Sequence, residues 1–256
     1  MNLIFGSSGT VGSEVVRQLE AAGAPFRRAN RQAPDYAGVD TVFLLSPSDA
    51  AAELKILEDA KRAGVRRIVK LSVIGAAEES FSFAKLHRGV EKAIEQSGLD
   101  WTFLRPNGFM QNLVNYDGPT IRSQGAIYSS AADGRISHVD VRDIAAVAVA
   151  ALTRPGHEKK AYTLTGPEAL TYDQIAAKIG AAAGRDVKHV ALTPEQHKGG
   201  MLGAGVPEPY ADALLDLNRA YRENLLSGVS SAVKDVTGRD PISFDQFAAD
   251  NAAAFR

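Results

Sequence analysis

The sequence predicts an α/β fold, with a parallel sheet in its first half and a second lobe built from its later segments. Short β-rich runs alternate with helical patterns through the first half of the 256-residue chain, as βαβ units require. Glycine follows three of these helical patterns, at Gly23, Gly64 and Gly98, where a helix commonly ends. After residue 107 the alternation becomes less regular, which predicts that the second lobe begins there.

The first half of the chain contains four predicted strands, three predicted helices and a further strand that leads into the second half. Apolar residues recur at helical spacing within each predicted helix, so each has one face that can be buried. In order, we expect a strand at 2–5, a helix at 10–22, strands at 26–30 and 40–47, a helix to 63 capped by Ser48, a strand at 65–73, a helix at 82–97 and a strand at 101–106.

The second half contains shorter units with clear capping signals. Asp140 is an expected N-cap, and Thr171–Gln174 and Ser243–Gln246 have capping-box spacing. The expected elements are a strand turning into a helix at 136–152, a strand at 161–166, a helix from 171, a strand and a proline-started helix at 187–196, a long helix at 209–226 and a last helix after 243. We interpret the glycine-rich segment 197–205 as a surface loop, with a lid over a cleft as the alternative.

Composition excludes several classes of function. The chain has 29 basic and 30 acidic residues, so no bulk charge would attract nucleic acid or an anionic membrane. It has no cysteine, which removes disulfides, thiolate nucleophiles and cysteine-ligated zinc. No apolar run approaches the roughly 20 residues of a membrane span, and the N-terminus has no leader pattern. We therefore expect a cytoplasmic protein.

Three glycines spaced three apart follow the first predicted strand in "FGSSGTVGS". Gly6 would permit a tight turn, Gly9 would let backbone N–H groups approach a pyrophosphate, and Gly12 would let the following helix pack closely on its strand. The spacing is G-x-x-G-x-x-G, and a glycine-rich turn without a ligand is the alternative. The strand and amphipathic helix on either side favour a dinucleotide-binding loop, formed by Gly6, Ser7, Ser8, Gly9, Thr10 and Val11.

The residues after the second predicted strand indicate which dinucleotide binds. An acid at this point would bind the ribose hydroxyls of NAD, whereas an arginine would accept the 2′-phosphate of NADP. The sequence here is "FRRANRQ", with Arg31 after the strand and no acid at its end. It predicts NADPH as the cofactor, and solvated surface arginines are the alternative.

Several longer segments resemble the NmrA-like branch of the atypical short-chain dehydrogenases/reductases. They are the glycine run, "VFLLSP", "SGLDWTFLRPNGFMQN", "VDVRDIAAVAVAALTRPGHEKKAYTLTGPEALTYDQIA" and "GRDPISFDQFAADNAAAF". The resemblance implies a Rossmann-type doubly wound parallel sheet mainly in residues 1–150, interleaved with a small α+β lobe mainly in 151–256. The family includes NADPH-dependent quinone reductases, triphenylmethane-dye and azo reductases, and redox-sensing regulators that bind the dinucleotide without reacting it.

The resemblance also implies the positions of site residues. The nucleotide loop would be 6–12, and Arg31 would bind the 2′-phosphate. The nicotinamide side would include Leu45, Ser46, Pro47, Leu71 and Ser72, and the acceptor side Phe109, Met110 and Asn112. Phe109, Met110 and Tyr116 would suit a flat apolar ligand, although such residues are as often part of a core.

One departure from the family concerns the sheet. Members usually have a further helix and strand after the second strand, but only nine residues separate Arg31 from Thr41 here. We expect that one edge strand is missing, which would leave the adenine side more open and weaken cofactor binding. Asp35 and Tyr36 are candidates to take its place.

A second departure concerns the catalytic acid. Short-chain dehydrogenases use Tyr-x-x-x-Lys, in which tyrosine gives a proton to a developing alkoxide. The corresponding helix reads "SFSFAKLHRGVE", so phenylalanine occupies the tyrosine position whether Phe81 aligns with Lys85 or Phe83 with His87. His87 has an unperturbed pKa near neutrality and could donate a proton or a hydrogen bond, or it could simply be a helix histidine that lines the cleft.

These residues predict an NADPH-dependent oxidoreductase that passes hydride directly to a quinone-like or conjugated acceptor. Such acceptors form delocalised or neutral products that water can protonate, so they need positioning more than an acid. A regulatory protein that senses NADP(H) without catalysis is the alternative. We assign no metal, because Asp140 and Asp143 near His138 fit helix capping. The sequence leaves the oligomeric state open, a homodimer included.

Overall fold

The computed structural model describes residues 1–46 and 49–256, in which a six-stranded parallel sheet and a separate pair of strands are surrounded by helices. The strands are β1 Asn2–Ile4, β2 Phe26–Arg28, β3 Thr41–Leu44, β4 Arg67–Leu71, β5 Asp100–Pro106, β6 Ala126–Ser129, β7 Lys160–Leu164 and β8 Lys188–Ala191. The helices are α1 Thr10–Ala21, α2 Ala50–Arg62, α3 Ser82–Gln96, a π-helix Leu113–Asp117, α4 Gly118–Gln124, α5 Val141–Thr153, α6 Tyr172–Ala183, α7 Pro194–Gly203, α8 Glu208–Arg222, α9 Ala232–Thr237, α10 Phe244–Asp250 and a 3₁₀ turn Ala252–Phe255.

The strand order of the large sheet is β2-β1-β3-β4-β5-β7, and every pairing is parallel. This order confirms the doubly wound α/β fold. The three-residue strand β2 is the edge on one side, which confirms the expected loss of an edge strand. The strand order reverses between β1 and β3, so the crevice at their carboxyl ends is the expected ligand position.

Apolar layers cover both faces of the sheet. On one face α1 and α5 pack together, and Val15 and Ile144 are fully buried in their shared core. On the other face α2 and α3 cover a second core that includes Leu57 and Ile94. Strands buried on both faces read as continuous apolar runs, as "TVFL" of β3 does.

The smaller lobe forms around the β6–β8 strand pair. Its core combines Ile127 of β6 and Ile175 of α6 with Phe247 of α10 and Phe255 at the end of the chain. Residues 113–129 therefore lie in the lobe, whereas β7, which follows them in sequence, lies in the large sheet. Among the described residues, no helix combines the length and the apolar character needed to cross a membrane.

The interpretation of 197–205 as a glycine-rich loop or lid is wrong, because residues 194–203 form α7. The capping box of Thr193 and Gln196 and the proline in the first turn start this helix. Its three glycines, Gly199 among them, lie in open space and are tolerated at a modest cost.

Three other local expectations also changed. The strand expected at 136–139 consists of two isolated bridges, Phe109–Val139 and Ile136–Leu170. Ser243 caps α10, but the Gln246 side chain donates to Asp250 instead of returning to the cap. Ser48 lies outside the described residues; the N-cap of α2 is Asp49, whose carboxylate accepts from the Ala52 N–H at 2.9 Å.

Candidate functional site

A cavity of about 750 Å³ opens at the carboxyl ends of β1, β3 and β4. It extends from the glycine loop to a wall formed by α3 and α8. The residues that the sequence analysis assigned to a site and that line this cavity are Gly6, Ser7, Ser8, Gly9, Thr10, Val11, Arg31, Leu45, Ser46, Leu71, Ser72, His87, Phe109, Asn112 and Tyr116. Pro47 lies outside the described residues.

Met110 does not line the cavity. Its side chain is 1% exposed and packs in the core of the smaller lobe beside Leu113 and Ile121. Its neighbours Phe109 and Asn112 face the cavity. Residues 107–112 follow no regular period, so the direction of each side chain cannot be read from spacing. The assignment of Met110 to the acceptor side is therefore corrected.

The glycines of the loop meet different surroundings. Gly6 has a φ of +67°, and a Cβ there would lie 2.8 Å from the Leu45 Cγ. A Cβ on Gly12 would lie 2.0 Å from the Gly6 carbonyl oxygen, so α1 approaches the turn too closely for any side chain. A Cβ on Gly9 would meet only the Gly6 oxygen, at 3.5 Å. Two glycines thus shape the loop, and the third keeps its outer surface free.

The N-terminus of α1 suits a phosphate group. Its N-cap is Gly9, which has no side chain, and its first turn contains no acid. The N–H groups of a first helical turn have no partner within the helix, and the helix dipole favours an anion there. Thr10 and Val11 of this turn line the cavity. The loop therefore fits the pyrophosphate of a dinucleotide.

The arginines in β2 and directly after it differ in their partners. Arg27 forms an ion pair with Asp35 and donates to the Asp35 carbonyl oxygen at 2.9 Å. Arg28 pairs with Glu20 at 3.3 Å. Arg31 lines the cavity, and it has no ion pair within the described ranges 1–46 and 49–256. It is therefore the arginine available to a 2′-phosphate.

Neither Asp35 nor Tyr36 lines the cavity. Asp35 holds Arg27, and its carboxylate also accepts from the Ala37 N–H at 2.9 Å. The Tyr36 ring packs on the core beneath the sheet, with its centroid 6.4 Å from that of Phe5. Asp35 and Tyr36 attach the short connection between β2 and β3 to the edge of the sheet. They do not take the place of the missing strand beside the cavity.

A largely aromatic wall, formed at the start of α3 and along α8, closes the cavity opposite the glycine loop, and sequence reasoning missed most of it. Phe83 of α3 meets Tyr210 of α8 edge-on, with ring centroids 5.6 Å apart. The residues of this wall are Phe81, Phe83, Tyr210, Leu214, Leu217 and Tyr221. The four from α8 recur at helical spacing, which indicated a buried face but not what the face covers.

Asp216 attaches α8 to α3. Its carboxylate accepts from the Ser82 N–H at 2.7 Å and from the Ser82 hydroxyl at 2.6 Å, at the start of α3. Arg219, one turn further along α8, donates to the Ser80 carbonyl oxygen at 3.0 Å. These contacts fix the position of the aromatic wall.

The cavity selects one of the two alignments with Tyr-x-x-x-Lys. Phe83 and His87 both line it, whereas Lys85 is exposed and does not. Phenylalanine therefore stands where the acid would be. Two tyrosines of α8 also line the cavity, but burial raises the pKa of both Tyr210 and Tyr221, opposite to the direction that a tyrosine acid requires.

Ser72 lies at the end of β4, where its hydroxyl donates to Glu91 at 2.7 Å. Glu91 is fully buried and accepts two hydrogen bonds from Arg105, at 2.9 and 2.7 Å. These hydrogen bonds keep the pKa of Glu91 below its usual value despite burial. The Ser72 proton is thus directed to Glu91 and not toward a ligand.

The acids near His138 serve the structure. Asp140 caps α5 by accepting from the Arg142 N–H at 2.8 Å, and it pairs with the Arg142 guanidinium. Asp143 accepts from the Ile242 N–H at 2.7 Å. Within the part of the chain that the structure describes, no three His, Cys, Asp or Glu residues are grouped so that they could hold a metal ion.

Comparison with known proteins identifies the family. Residues 33–239 match the model of the NmrA-like family. This chain belongs to the NmrA-like family. It is 40% identical to an NAD(P)H azoreductase of Xenophilus azovorans, over 100% of this chain and 99% of that protein.

Solved structures agree with this placement. The NADPH complex of a quinone oxidoreductase from Escherichia coli matches 98% of this NmrA-like chain and 99% of that one, with 25% identity and a TM-score of 0.85. A triphenylmethane reductase of Citrobacter sp. has the same fold, with 24% identity over 98% and 100% of the two chains and a TM-score of 0.83. The azoreductase alignment spans 284 positions against 256 residues here, in keeping with a shortened NmrA-like chain.

Proposed function

We propose that this NmrA-like protein is an NADPH-dependent oxidoreductase that transfers hydride directly to a quinone-like or conjugated acceptor. One observation carries the proposal: the glycine loop and the aromatic wall border a single cavity. Phenylalanine at the acid position then limits the kind of acceptor. Bound there, the reduced nicotinamide supplies the hydride. The names of the azoreductase and quinone oxidoreductase relatives support the same class of reaction.

The chain's own residues would hold two ligands side by side. The first turn of α1 and the loop from Gly6 to Gly9 would bind the pyrophosphate, and Arg31 would pair with the 2′-phosphate. Phe83, Tyr210 and Tyr221 offer ring faces and edges to a flat acceptor. Because both reactants are bound side by side, hydride transfer no longer depends on a collision between two free molecules. This effect of proximity supplies a large part of the rate acceleration available to such an enzyme.

The missing acid limits the acceptor. A simple ketone forms a strongly basic alkoxide when it takes up hydride, and it needs a proton donor in place. A quinone or an azo compound spreads the new charge, and a cationic dye becomes neutral, so water can supply any proton required. Conjugated acceptors are therefore the class that this cavity suits.

The enzyme is favoured over a regulatory protein that senses NADP(H). A sensor has no need of a second ligand space beside the nicotinamide, whereas this cavity continues from Leu71 and Ser72 to the aromatic wall. The proposal includes a cytoplasmic location, because reduced nicotinamide nucleotides are supplied within cells. It also includes a small conjugated molecule, rather than a nucleic acid, as the partner.

The direct test mixes the purified protein and NADPH with 1,4-naphthoquinone, an azo dye or a triphenylmethane dye cation and follows the reduced-nicotinamide absorbance. We expect catalytic oxidation of NADPH with at least one of these acceptors. Binding of NADPH, measured by thermal shift, without oxidation by any of them would overturn the enzyme and favour the sensor.

The cofactor preference is tested by Arg31→Ala. We expect Kd for NADPH to rise by about 10- to 100-fold, since a charge-assisted hydrogen bond contributes roughly 1.5–3 kcal/mol, while Kd for NADH stays unchanged. Arg28→Ala is the matched control, because Arg28 pairs with Glu20 and does not line the cavity. An equal rise in Kd for NADPH and NADH, or no rise in either, would contradict the assignment of Arg31.

A further inference from the structure

A buried ammonium group lies behind the acceptor side of the cavity. Lys70 on β4 is 0% exposed, and its Nζ is 2.6 Å from the Glu53 Oε2 of α2, which is 1% exposed. The same Nζ is 3.2 Å from the Leu71 carbonyl oxygen and 3.2 Å from the Nδ1 of His87. An ammonium group has three N–H bonds and no lone pair, so these three partners use all of its donors.

This arrangement determines the tautomer of His87. Burial lowers the pKa of Lys70, and the Glu53 carboxylate 2.6 Å away opposes that shift and stabilises the ammonium form. Because an ammonium can only donate, the Nδ1 of His87 accepts, and the single proton of the neutral imidazole is then on Nε2. Burial, reinforced by the Lys70 charge, lowers the pKa of His87 to about 3, so the ring stays neutral at physiological pH. The near-neutral pKa expected from the sequence is therefore corrected: His87 can donate a hydrogen bond, but it is not an imidazolium acid.

The Nε2 proton is free for a ligand. The His87 ring lines the cavity, and Nε2 is on the opposite side of the imidazole from the Nδ1 that contacts Lys70. Within residues 1–46 and 49–256, Nδ1 is the only His87 ring nitrogen with a hydrogen-bond partner. His87 Nε2 is not among the buried polar atoms without a partner, so it is accessible at the cavity surface. An accessible donor without a partner among the described residues is suited to an acceptor atom of a ligand.

Glu53 connects this network to the cofactor side. Its second carboxylate oxygen accepts from the Ser46 N–H at 3.2 Å, at the end of β3. Burial raises the pKa of Glu53, and the adjacent Lys70 ammonium opposes that shift. One carboxylate therefore fixes both the backbone beside the nicotinamide position and the ammonium that orients His87.

We propose that Glu53 and Lys70 are positioning residues that hold His87 as a fixed Nε2–H donor to the acceptor, and that this donor selects acceptors that become anionic on reduction. The inference rests on the proposed function and deepens it. A quinone oxygen or an azo nitrogen gains negative charge as hydride arrives, and a preorganised donor stabilises it. A triphenylmethane cation only loses positive charge, so it gains nothing from the donor.

The reaction balances without a protein acid. Two electrons and one hydrogen pass to the acceptor as hydride, and the reduced nicotinamide is oxidised. On a quinone or an azo compound, the new bond to hydrogen leaves an anion, which takes a proton from water. On a triphenylmethane cation, the new carbon–hydrogen bond gives a neutral product that needs no proton. His87 keeps its Nε2 proton throughout.

Acceptor selection is tested with His87→Phe and His87→Gln. For 1,4-naphthoquinone, we expect His87→Phe to lower kcat/KM by about 10- to 100-fold, as loss of a hydrogen bond to a developing charge does. His87→Gln keeps an N–H donor and should recover part of that loss. With the triphenylmethane cation, the loss in kcat/KM for His87→Phe should be about tenfold smaller than the loss for 1,4-naphthoquinone, so the selectivity between the two acceptors changes. Equal losses for quinone and dye, or no loss for quinone, would overturn the role of His87.

The positioning role is tested by ¹⁵N NMR of histidine-labelled protein, because ring-nitrogen shifts distinguish the two neutral tautomers. In the wild-type protein we expect the His87 signal of a proton on Nε2, assigned by its loss in His87→Gln. A proton on Nδ1 would overturn the proposal, and this reading needs no variant at Lys70.

Variants of Lys70 and Glu53 then test whether these two residues determine the His87 tautomer. Lys70→Met alone leaves the Glu53 carboxylate buried without its ionic partner, which strongly destabilises the fold. The double variant Glu53→Gln with Lys70→Met therefore removes both charges together. We expect the Nε2–H tautomer to give way to a mixture and quinone kcat to fall. Kd for NADPH should rise by no more than about threefold, because a glutamine amide oxygen at position 53 can still accept from the Ser46 N–H. Lys85→Met, on the exposed face of α3, is the matched control. An unchanged tautomer in the double variant would overturn the roles of Glu53 and Lys70.

The failure of this inference and of the proposed function can be told apart. Absence of NADPH oxidation with every acceptor would remove the function, yet the NMR reading of His87 would still be obtained. A wrong tautomer in an active enzyme would remove only the inference.

Discussion

Gly12 is the residue at which the glycine loop tolerates least change. The Cβ of an alanine there would lie 2.0 Å from the Gly6 carbonyl oxygen, and backbone cannot give way as a flexible side chain can. We expect Gly12→Ala to destabilise the protein by about 1–3 kcal/mol, as overpacking does, and to abolish NADPH binding. Urea denaturation and a thermal shift with NADPH measure the two effects.

Gly89→Ala is the control for this substitution. Gly89 lies on the exposed face of α3 with nothing within 4 Å of a new Cβ, so alanine should stabilise the helix by up to about 1 kcal/mol. If both glycine variants had the same free energy of unfolding as the wild type, the close approach of α1 to the loop would be refuted.

Asp117 makes stability depend on pH. Burial raises its pKa from 3.8 to about 7, so the folded protein holds a proton that the unfolded chain releases. Stability contributed by this group is complete below pH 4 and falls as the pH rises to about 7. We expect Asp117→Asn to gain about 2–4 kcal/mol at pH 8 and progressively less toward pH 5.

Urea denaturation of the wild type and Asp117→Asn at several pH values measures this difference. Asp133→Asn is a control carboxylate in a turn after β6, outside the π-helix. A gain for Asp117→Asn that is the same at pH 5 and pH 8 would contradict the buried titration.

At the scale of elements, the position of α8 determines the aromatic wall of the cavity, which we propose binds the acceptor. Asp216 holds the start of α3, whereas Asp212, one turn earlier, pairs with Lys198 of α7 at 2.7 Å. We expect Asp216→Ala to raise KM for naphthoquinone by about 3- to 10-fold, since it loses a capping contact and loosens the aromatic wall. Kd for NADPH should stay within about twofold.

Steady-state kinetics with Asp212→Ala as the matched control isolates the α3 contact from a general loosening of α8. If the two aspartate variants raised KM equally, or if Asp216→Ala weakened NADPH binding as much as quinone binding, α8 would not be positioned in this way.

Elements with strong local signals were predictable, and those fixed by distant contacts were not. The helix α6 was expected from Thr171 and Gln174, which form the capping box seen in the structure. The segment of α7 was misinterpreted because its glycines outweighed the start signal at Thr193. The contact between Asp216 and Ser82 joins residues 134 apart in sequence, and no local pattern indicates it.

For the whole molecule, the succession of strands and helices indicated a parallel α/β sheet, and the resemblance to the NmrA-like family implied its doubly wound form. The shortened edge was expected because the family usually has a further helix and strand where only nine residues separate Arg31 from Thr41 here. The contents of the cavity were predictable where residues lie at strand ends, as Leu71 does. They were not predictable for the irregular segment at Met110, nor for Lys70 behind His87, because those depend on which way a side chain points.

The shortened sheet also determines which parts of the cofactor the protein would contact. Beyond the glycine loop, the cavity lining on the β2 side consists of Ala29 and Arg31, and within residues 1–46 and 49–256 no strand lies outside β2. Binding should then depend on the phosphates and hardly on the adenine ring. We expect 1,N6-etheno-NADPH, whose adenine is enlarged, to bind with a Kd within about threefold of that of NADPH, while loss of the 2′-phosphate in NADH costs about 10-fold or more.

Isothermal titration with the three nucleotides separates these contributions. Raising the salt concentration from about 0.05 to 0.5 M should weaken the binding of NADPH more than the binding of NADH, since salt screens the charge on the exposed Arg31. A tenfold penalty for the etheno nucleotide would mean that the adenine is enclosed after all. In that event the short connection between β2 and β3 would have to move onto the nucleotide when it binds, and the open edge would be a property of the free protein alone.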